Sequence, residues 1–190
     1  IQVFENDILS FGKVNFGVRC YLAVKGGFLT ELKLESRSFY QNITEQNLVK
    51  NGDFLPFKEV SAYLSSTKAI IKIDQNHFKA IKLDCFKGPE FEMLDKHQQK
   101  KITTELFTIS NDQNRMGIKL NEVLDNNLPQ ILTSAVLPGT VQLTPSGKLI
   151  VLMRDCQVTG GYPRVLLLSE FSINRLAQKT TNQKISFNTI

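Results

Sequence analysis

VQLTPSGKLIVLM, Val141 to Met153, is the stretch on which the architecture turns. Thr144-Pro145-Ser146-Gly147 places proline where a type I turn wants φ at about −65° and glycine at the last turn position, with strand-like runs on both sides. That pattern predicts a β-hairpin. Just downstream, QVTGGYPR (Gln157 to Arg164) sets two successive glycines between a threonine and a Tyr-Pro pair. Glycine there serves either a turn or a close approach of backbone to something else.

Working outward, RVLLL (Arg164 to Leu168) reads as a buried strand, SEFSINRLAQK (Ser169 to Lys179) as a capped amphipathic helix, and ISF (Ile185 to Phe187) as a closing strand. Upstream, IKLDCF (Ile81 to Phe86) is a strand. Gly88-Pro89 stops it and puts Pro89 in the first turn of a helix that carries Phe91, Leu94 and Ile102 inward. ELFTIS (Glu105 to Ser110) returns to strand. The polar segment NDQNRMGIKLNEV around Met116 receives no strand assignment, and loops are expected from there to Pro138-Gly139. The first third, with VNFGVRCYLAV (Val14 to Val24) ending at Gly26-Gly27, reads as short strands, and AIIKI (Ala69 to Ile73) as one more. Polar DQNH then marks a domain boundary, giving an N-terminal β subdomain over 1–75 and a second over 76–190. Many short strands and few helices predict a mainly β chain, a barrel or sandwich decorated by helices.

Composition excludes several classes. The 190 residues are 42% hydrophobic and 22% charged, which rules out disorder. No apolar run approaches the roughly 18 to 20 residues of a membrane span, and IQVFENDILS has no signal-peptide pattern, so a cytoplasmic protein with no membrane partner is expected. The net charge of +5 comes from scattered residues, and the densest basic run, Lys96 to Lys101, reads as a solvated helix face rather than a nucleic-acid surface. Cys20, Cys85 and Cys156 are far apart without metal-ligand spacing, so they read as reduced thiols and no metal site is expected. Cys156 has no histidine in its own segment to act as base. No Walker-type loop and no dinucleotide fingerprint occurs, so ATP is not expected to be held by this chain.

Three segments at strand ends carry candidate chemistry: NRMG (Asn114 to Gly117), PGTVQ (Pro138 to Gln142) and QVTGGYP (Gln157 to Pro163). Gln142 and Gln157 offer a donor and an acceptor each, suited to an amide-like ligand such as a urea or a lactam. Arg115 has the fork to clamp a carboxylate, glycines such as Gly139, Gly160 and Gly161 can turn backbone N–H groups outward, and Thr159 and Tyr162 add hydroxyls. Each also has a bland reading as turn, surface or packing residue.

The run AVLPGTVQLTPSGKLIVLMRDCQVTGGYPR, with NRMG upstream and LAQ downstream, resembles the family variously called allophanate hydrolase subunit 2, KipA or the C subunit of 5-oxoprolinase. The same module forms part of the carboxyltransferase domain of urea carboxylase and urea amidolyase. RCYLAVKGGF (Arg19 to Phe28) is similar to that family's R-x-Y-L-A-V-x-G-G segment and ESRS (Glu35 to Ser38) to its G-S-R-S, so the resemblance runs from about Phe4 to Phe187. Departures are Val158 for a threonine, Glu35 for a glycine, Thr144 and Ser146 in the usual P-P-[DN]-G turn, and Lys148-Leu149 for Gln-Pro. The family's N-terminal T-V-Q-D-x-G-R motif has no match, and with Ile1 leading straight into strand-like sequence a fragment of something longer is expected.

The resemblance implies a cyclophilin-like β-barrel preceded by a smaller, N-terminally truncated β subdomain. It implies a component of a biotin-dependent carboxyltransferase or an ATP-dependent amide hydrolase acting on 5-oxoproline or urea/allophanate, inactive as an isolated chain. In that reading Arg115, Gln142 and Gln157 are catalytic, and Asn114, Gly139, Thr159, Gly160, Gly161 and Tyr162 bind substrate. ATP, and biotin where used, would come through partners: a subunit 1 like KipI or the B subunit of 5-oxoprolinase, and a third subunit or biotin carrier. The alternatives are a non-catalytic KipA-like regulator that antagonises a kinase inhibitor, and a prolyl isomerase on the strength of the barrel alone.

Overall fold

The computed structural model describes residues 2–15, 17–60, 72 and 74–190. AIIKI therefore lies almost wholly outside the described residues. The chain divides into two compact units, one formed by Ile1–Arg19 with Ile73–Ile190 and the other by Cys20–Lys72.

The first unit is a closed barrel of seven strands. In chain order its elements are α1 (Asn76–Lys79), β1 (Lys82–Lys87), a 3-10 turn (Phe91–Met93), α2 (Lys96–Thr104), β2 (Phe107–Gln113), β3 (Gly117–Val123), β4 (Ser134–Ala135), β5 (Thr140–Leu143), β6 (Lys148–Leu152), β7 (Thr159–Gly160), β8 (Arg164–Leu168), α3 (Glu170–Leu176) and β9 (Lys184–Thr189). Around the barrel the order is β1-β8-β5-β6-β3-β2-β9, closing where β9 runs parallel to β1 from Lys82↔Ser186 to Cys85↔Thr189. Every other neighbouring pair is antiparallel. A two-stranded ribbon, β4 with β7, stands apart from the barrel sheet and pairs Ser134 with Gly160.

Alternation along the strands fills the interior. Phe107 and Ile109, Ile118 and Leu120, Val141 and Leu143, Leu149 and Val151, and Ile185 and Phe187 are buried at every second position. The Phe107 and Phe187 rings meet with centroids 5.5 Å apart. Burying such side chains is worth about 1.5–3 kcal/mol each, which makes this lattice the main source of stability.

The Val141–Met153 hairpin forms as β5-turn-β6. Gly147 N donates to Thr144 O at 2.9 Å, and Gly147 takes φ +79 while the position of a Cβ there is occupied by the Leu124 backbone, so glycine is required twice over. Val14 to Val24, expected as a strand, contains none among its described residues. The helix expected from Pro89 begins later than that proline suggests: a 3-10 turn intervenes, and Asp95 starts α2 through a capping box with Gln98. Phe91, Leu94 and Ile102 are nevertheless all buried as expected. GIKLNEV, given no strand, is β3, with Ile118 and Leu120 facing the core.

The second unit is mostly turns with isolated bridges at Phe28↔Phe57 and Lys33↔Ser36. Glu35, which stands where the resembling family has glycine, takes φ +63. A left-handed residue is cheap for glycine and costly for glutamate. Among the described residues no helix is long and apolar enough to cross a membrane.

Candidate functional site

Because strand residues alternate, the positions between the core residues of β3, β5 and β6 face outward. On that outer face Gly117, Ile150 and Leu152 form part of the lining of a concavity of about 200 Å³. Its polar lining is Asn114 from the β2–β3 turn, Gln142 from β5, Gln157 and Tyr162 from either side of β7, and Asp112 with Lys119, which form an ion pair. Segments from Asp112 to Tyr162 that are separated in sequence thus share one wall.

Gln142 is 2% exposed, and its Nε2 is buried with no hydrogen-bond partner among the described residues. An unpaired buried donor costs about 1–3 kcal/mol. Gly160 explains how the amide is covered: a Cβ there would sit 2.5 Å from Gln142 Nε2 and 3.5 Å from Val136 Cγ1. Gly160 is not among the positive-φ residues. The glycine is needed for close approach of the ribbon to the amide rather than for a turn conformation. Gly161 presents its carbonyl to Ile131 N at 3.1 Å, and a Cβ there would lie 3.4 Å from Ile131 O.

The ribbon is tied to the barrel by a largely buried ion pair that no sequence motif announces. Arg164, the first residue of β8, donates from Nε and Nη2 to Glu90 at 3.0 and 2.8 Å, and from Nη1 to the Ala135 carbonyl at 3.1 Å. Its own backbone N–H also reaches Glu90 Oε2 at 2.8 Å. Hydrogen bonding to Arg164 holds the Glu90 carboxyl below the usual carboxylate range against the opposing effect of burial. Nothing in the local sequence links two residues 74 positions apart; only the β1–β8 pairing brings them together.

The remaining expected site residues are dispersed. Arg115 does not line the concavity: its Nε pairs with Asp155 Oδ2 at 3.0 Å, and its carbonyl accepts from Asp155 N. Asn114 accepts from Met116 N and Gly117 N through Oδ1, which shapes the β2–β3 turn beside the concavity. Gly139 takes φ +91 under α3, where a Cβ would meet Ile173, so it packs the barrel end. Thr159 is exposed on β7, and neighbouring Val158 is 77% exposed. Burial raises the thiol pKa of Cys156, and pushes that of Cys85 up to about 11, so neither is an activated nucleophile. Among the described residues no group of three or more His, Cys, Asp or Glu side chains is placed to hold a metal ion.

The fold and its sequence have counterparts among known proteins. The family model described as carboxyltransferase domain, subdomain A and B, matches residues 1–189. The chain is 32% identical over 188 residues to the C subunit of 5-oxoprolinase from Escherichia coli, covering 94% of this chain and 58% of that protein. It is 27% identical over 195 residues to the C subunit of 5-oxoprolinase from Haemophilus influenzae, covering 100% of this chain and 62% of that protein. The chain therefore spans about three fifths of the length of these relatives. Among solved structures, the urea amidolyase of K. lactis superposes with a TM-score of 0.69 at 20% identity, over 93% of this chain and 12% of that one, which shows a shared fold.

Proposed function

The chain belongs to the carboxyltransferase-domain family, subdomains A and B, and from that membership we propose that it is the amide-binding component of a multi-subunit, ATP-dependent enzyme acting on 5-oxoproline or, in a urea amidolyase setting, on urea. The observation that carries the reading is the Gln142 amide, buried and unpaired beside a concavity also lined by Gln157, Asn114 and Tyr162. A lactam or ureido carbonyl is the acceptor such an amide lacks, and donors placed where negative charge develops on that oxygen assist attack on its carbon. The same donor chemistry fits the ureido ring of biotin.

ATP belongs, in this reading, to a KipI-like partner, and biotin, where used, to a carrier. When bound there, ATP supplies the driving force for opening the amide. This chain's part is to hold the amide group: Gln157 lines the open concavity, and Gln142 joins it in orienting the amide once the β4–β7 ribbon that covers its Nε2 lifts. Arg115, paired to Asp155, would have to exchange that partner before engaging a carboxylate. The assembly is proposed to be cytoplasmic.

The test is reconstitution. The chain alone is expected to release no ADP from ATP with 5-oxoproline or urea, and the full-length protein with its partner subunits to release ADP only when one of these substrates is present. Turnover by the chain alone would refute the companion requirement. A stable complex without turnover would favour a KipA-like regulator instead.

A further inference from the structure

Asn114 also lines a second concavity, of about 180 Å³, together with Val18, Arg19, Gln113, Lys179 and Thr180. Two of these residues are cations and none is acidic. Lys179 is only 5% exposed, and its ammonium donates to a neutral partner, the Phe78 carbonyl at 2.7 Å. No carboxylate pairs with it among the described residues. Burial and, secondarily, the charge of Arg175 lower its pKa, with no acidic neighbour opposing them. Arg19 is exposed and spends one donor on the Ala177 carbonyl, leaving the rest of its guanidinium uncommitted by that bond. A buried cation without a countercharge is costly, and leucine or methionine would fill the position more cheaply.

We propose that this concavity is a subsite for a small oxyanion, a carboxylate or a phosphate, held by the Lys179 ammonium and the Arg19 guanidinium. Asn114 lines both concavities, so the anion subsite adjoins the candidate amide site. Any pairing with an amide ligand rests on the functional reading above; the anion site does not.

The experiment titrates the chain calorimetrically with inorganic phosphate, 5-oxoproline and 2-pyrrolidinone, the same lactam without its carboxylate. Saturable binding of phosphate is expected, weakened about tenfold or more by Lys179→Met and by Arg19→Gln, as loss of a charge-assisted hydrogen bond implies. Circular dichroism establishes that each variant is folded, and Arg19→Gln, at an exposed position, serves should Lys179→Met misfold. If 5-oxoproline competes with phosphate and 2-pyrrolidinone does not, the anion is the substrate's carboxylate. If phosphate binds and both lactams fail, the anion subsite stands with free phosphate as its occupant and the amide-substrate reading falls. Absence of saturable binding by phosphate and 5-oxoproline alike, or equal binding by the variants, overturns the proposal and leaves both cations as caps on helix C-terminal carbonyls.

Discussion

Gly160→Val is expected to abolish turnover of the reconstituted assembly, by at least about 100-fold, while Ser146→Ala leaves it unchanged. A Cβ at residue 160 would lie 2.5 Å from Gln142 Nε2 and close to Val136, so even alanine must lift the ribbon or displace the amide. Valine adds two methyl groups in the same place. The pairing of β4 with β7 is only two residues long, so the ribbon rather than the barrel gives way. Ser146 is exposed in the β5–β6 turn, where Pro145 and Gly147 set the backbone and its hydroxyl lies 3.0 Å from Thr144 Oγ1. Circular dichroism and the melting temperature must match wild type for the comparison to hold. A folded Gly160→Val assembly with wild-type kcat/KM would make the glycine pair a mere connection.

Arg164→Ala should be the most destabilising single change in the site region. It strips Glu90, 9% exposed, of both guanidinium donors, leaving it the backbone N–H of residue 164, and it frees the Ala135 carbonyl. Removing one partner of a buried pair costs about 3–5 kcal/mol, and the partial exposure of this pair argues for the lower end, roughly 3 kcal/mol. In a chain of this size that lowers Tm by about 6–12 °C. The Glu90→Leu/Arg164→Met double variant should lose less than either single change, because no charge is left stranded. The Glu90 carboxyl is held below its ordinary value in the folded state, so its contribution is complete above the unfolded carboxylate pKa of about 4.3 and disappears as pH falls through the lower folded value. The stability gap between wild type and Glu90→Gln, measured by urea titration, should therefore be constant near neutrality and close below about pH 4. A gap that persists unchanged to about pH 2 would contradict an ionic origin.

The hairpin at Thr144–Gly147 is legible in the sequence because proline and glycine constrain φ locally, and β8, α3 and β9 follow from short-range pattern and a Ser169 cap. β3 escapes such reading, although Ile118 and Leu120 alternate with Lys119 and Asn121, because its outward residues are polar and merge with the preceding NDQNRMG turn. Val14 to Val24 shows the converse: β-branched and aromatic residues favour strand only where a neighbouring strand is present to pair. Closure of the barrel by parallel β1–β9 pairing joins residues about 100 positions apart, and no local signal carries it. In the candidate site, Gln142 and Gln157 stand out in the sequence by their donor and acceptor chemistry, but that chemistry equally suits turn or surface residues, and the family resemblance is what singles them out. The Glu90 clamp on Arg164 and the pairing of Arg115 with Asp155 depend on which loops the barrel brings together.

Gln142, whose side-chain nitrogen has no hydrogen-bond partner among the described residues, is proposed to hold a ligand. Gln142→Met tests this most directly, because methionine approximates the volume and removes the orphan donor. A Tm equal to or above wild type is expected together with a fall of about 30-fold or more in kcat/KM of the reconstituted assembly, since an unsatisfied buried group is lost from the protein and a charge-stabilising donor from the reaction. Wild-type kcat/KM in a folded Gln142→Met assembly would contradict it.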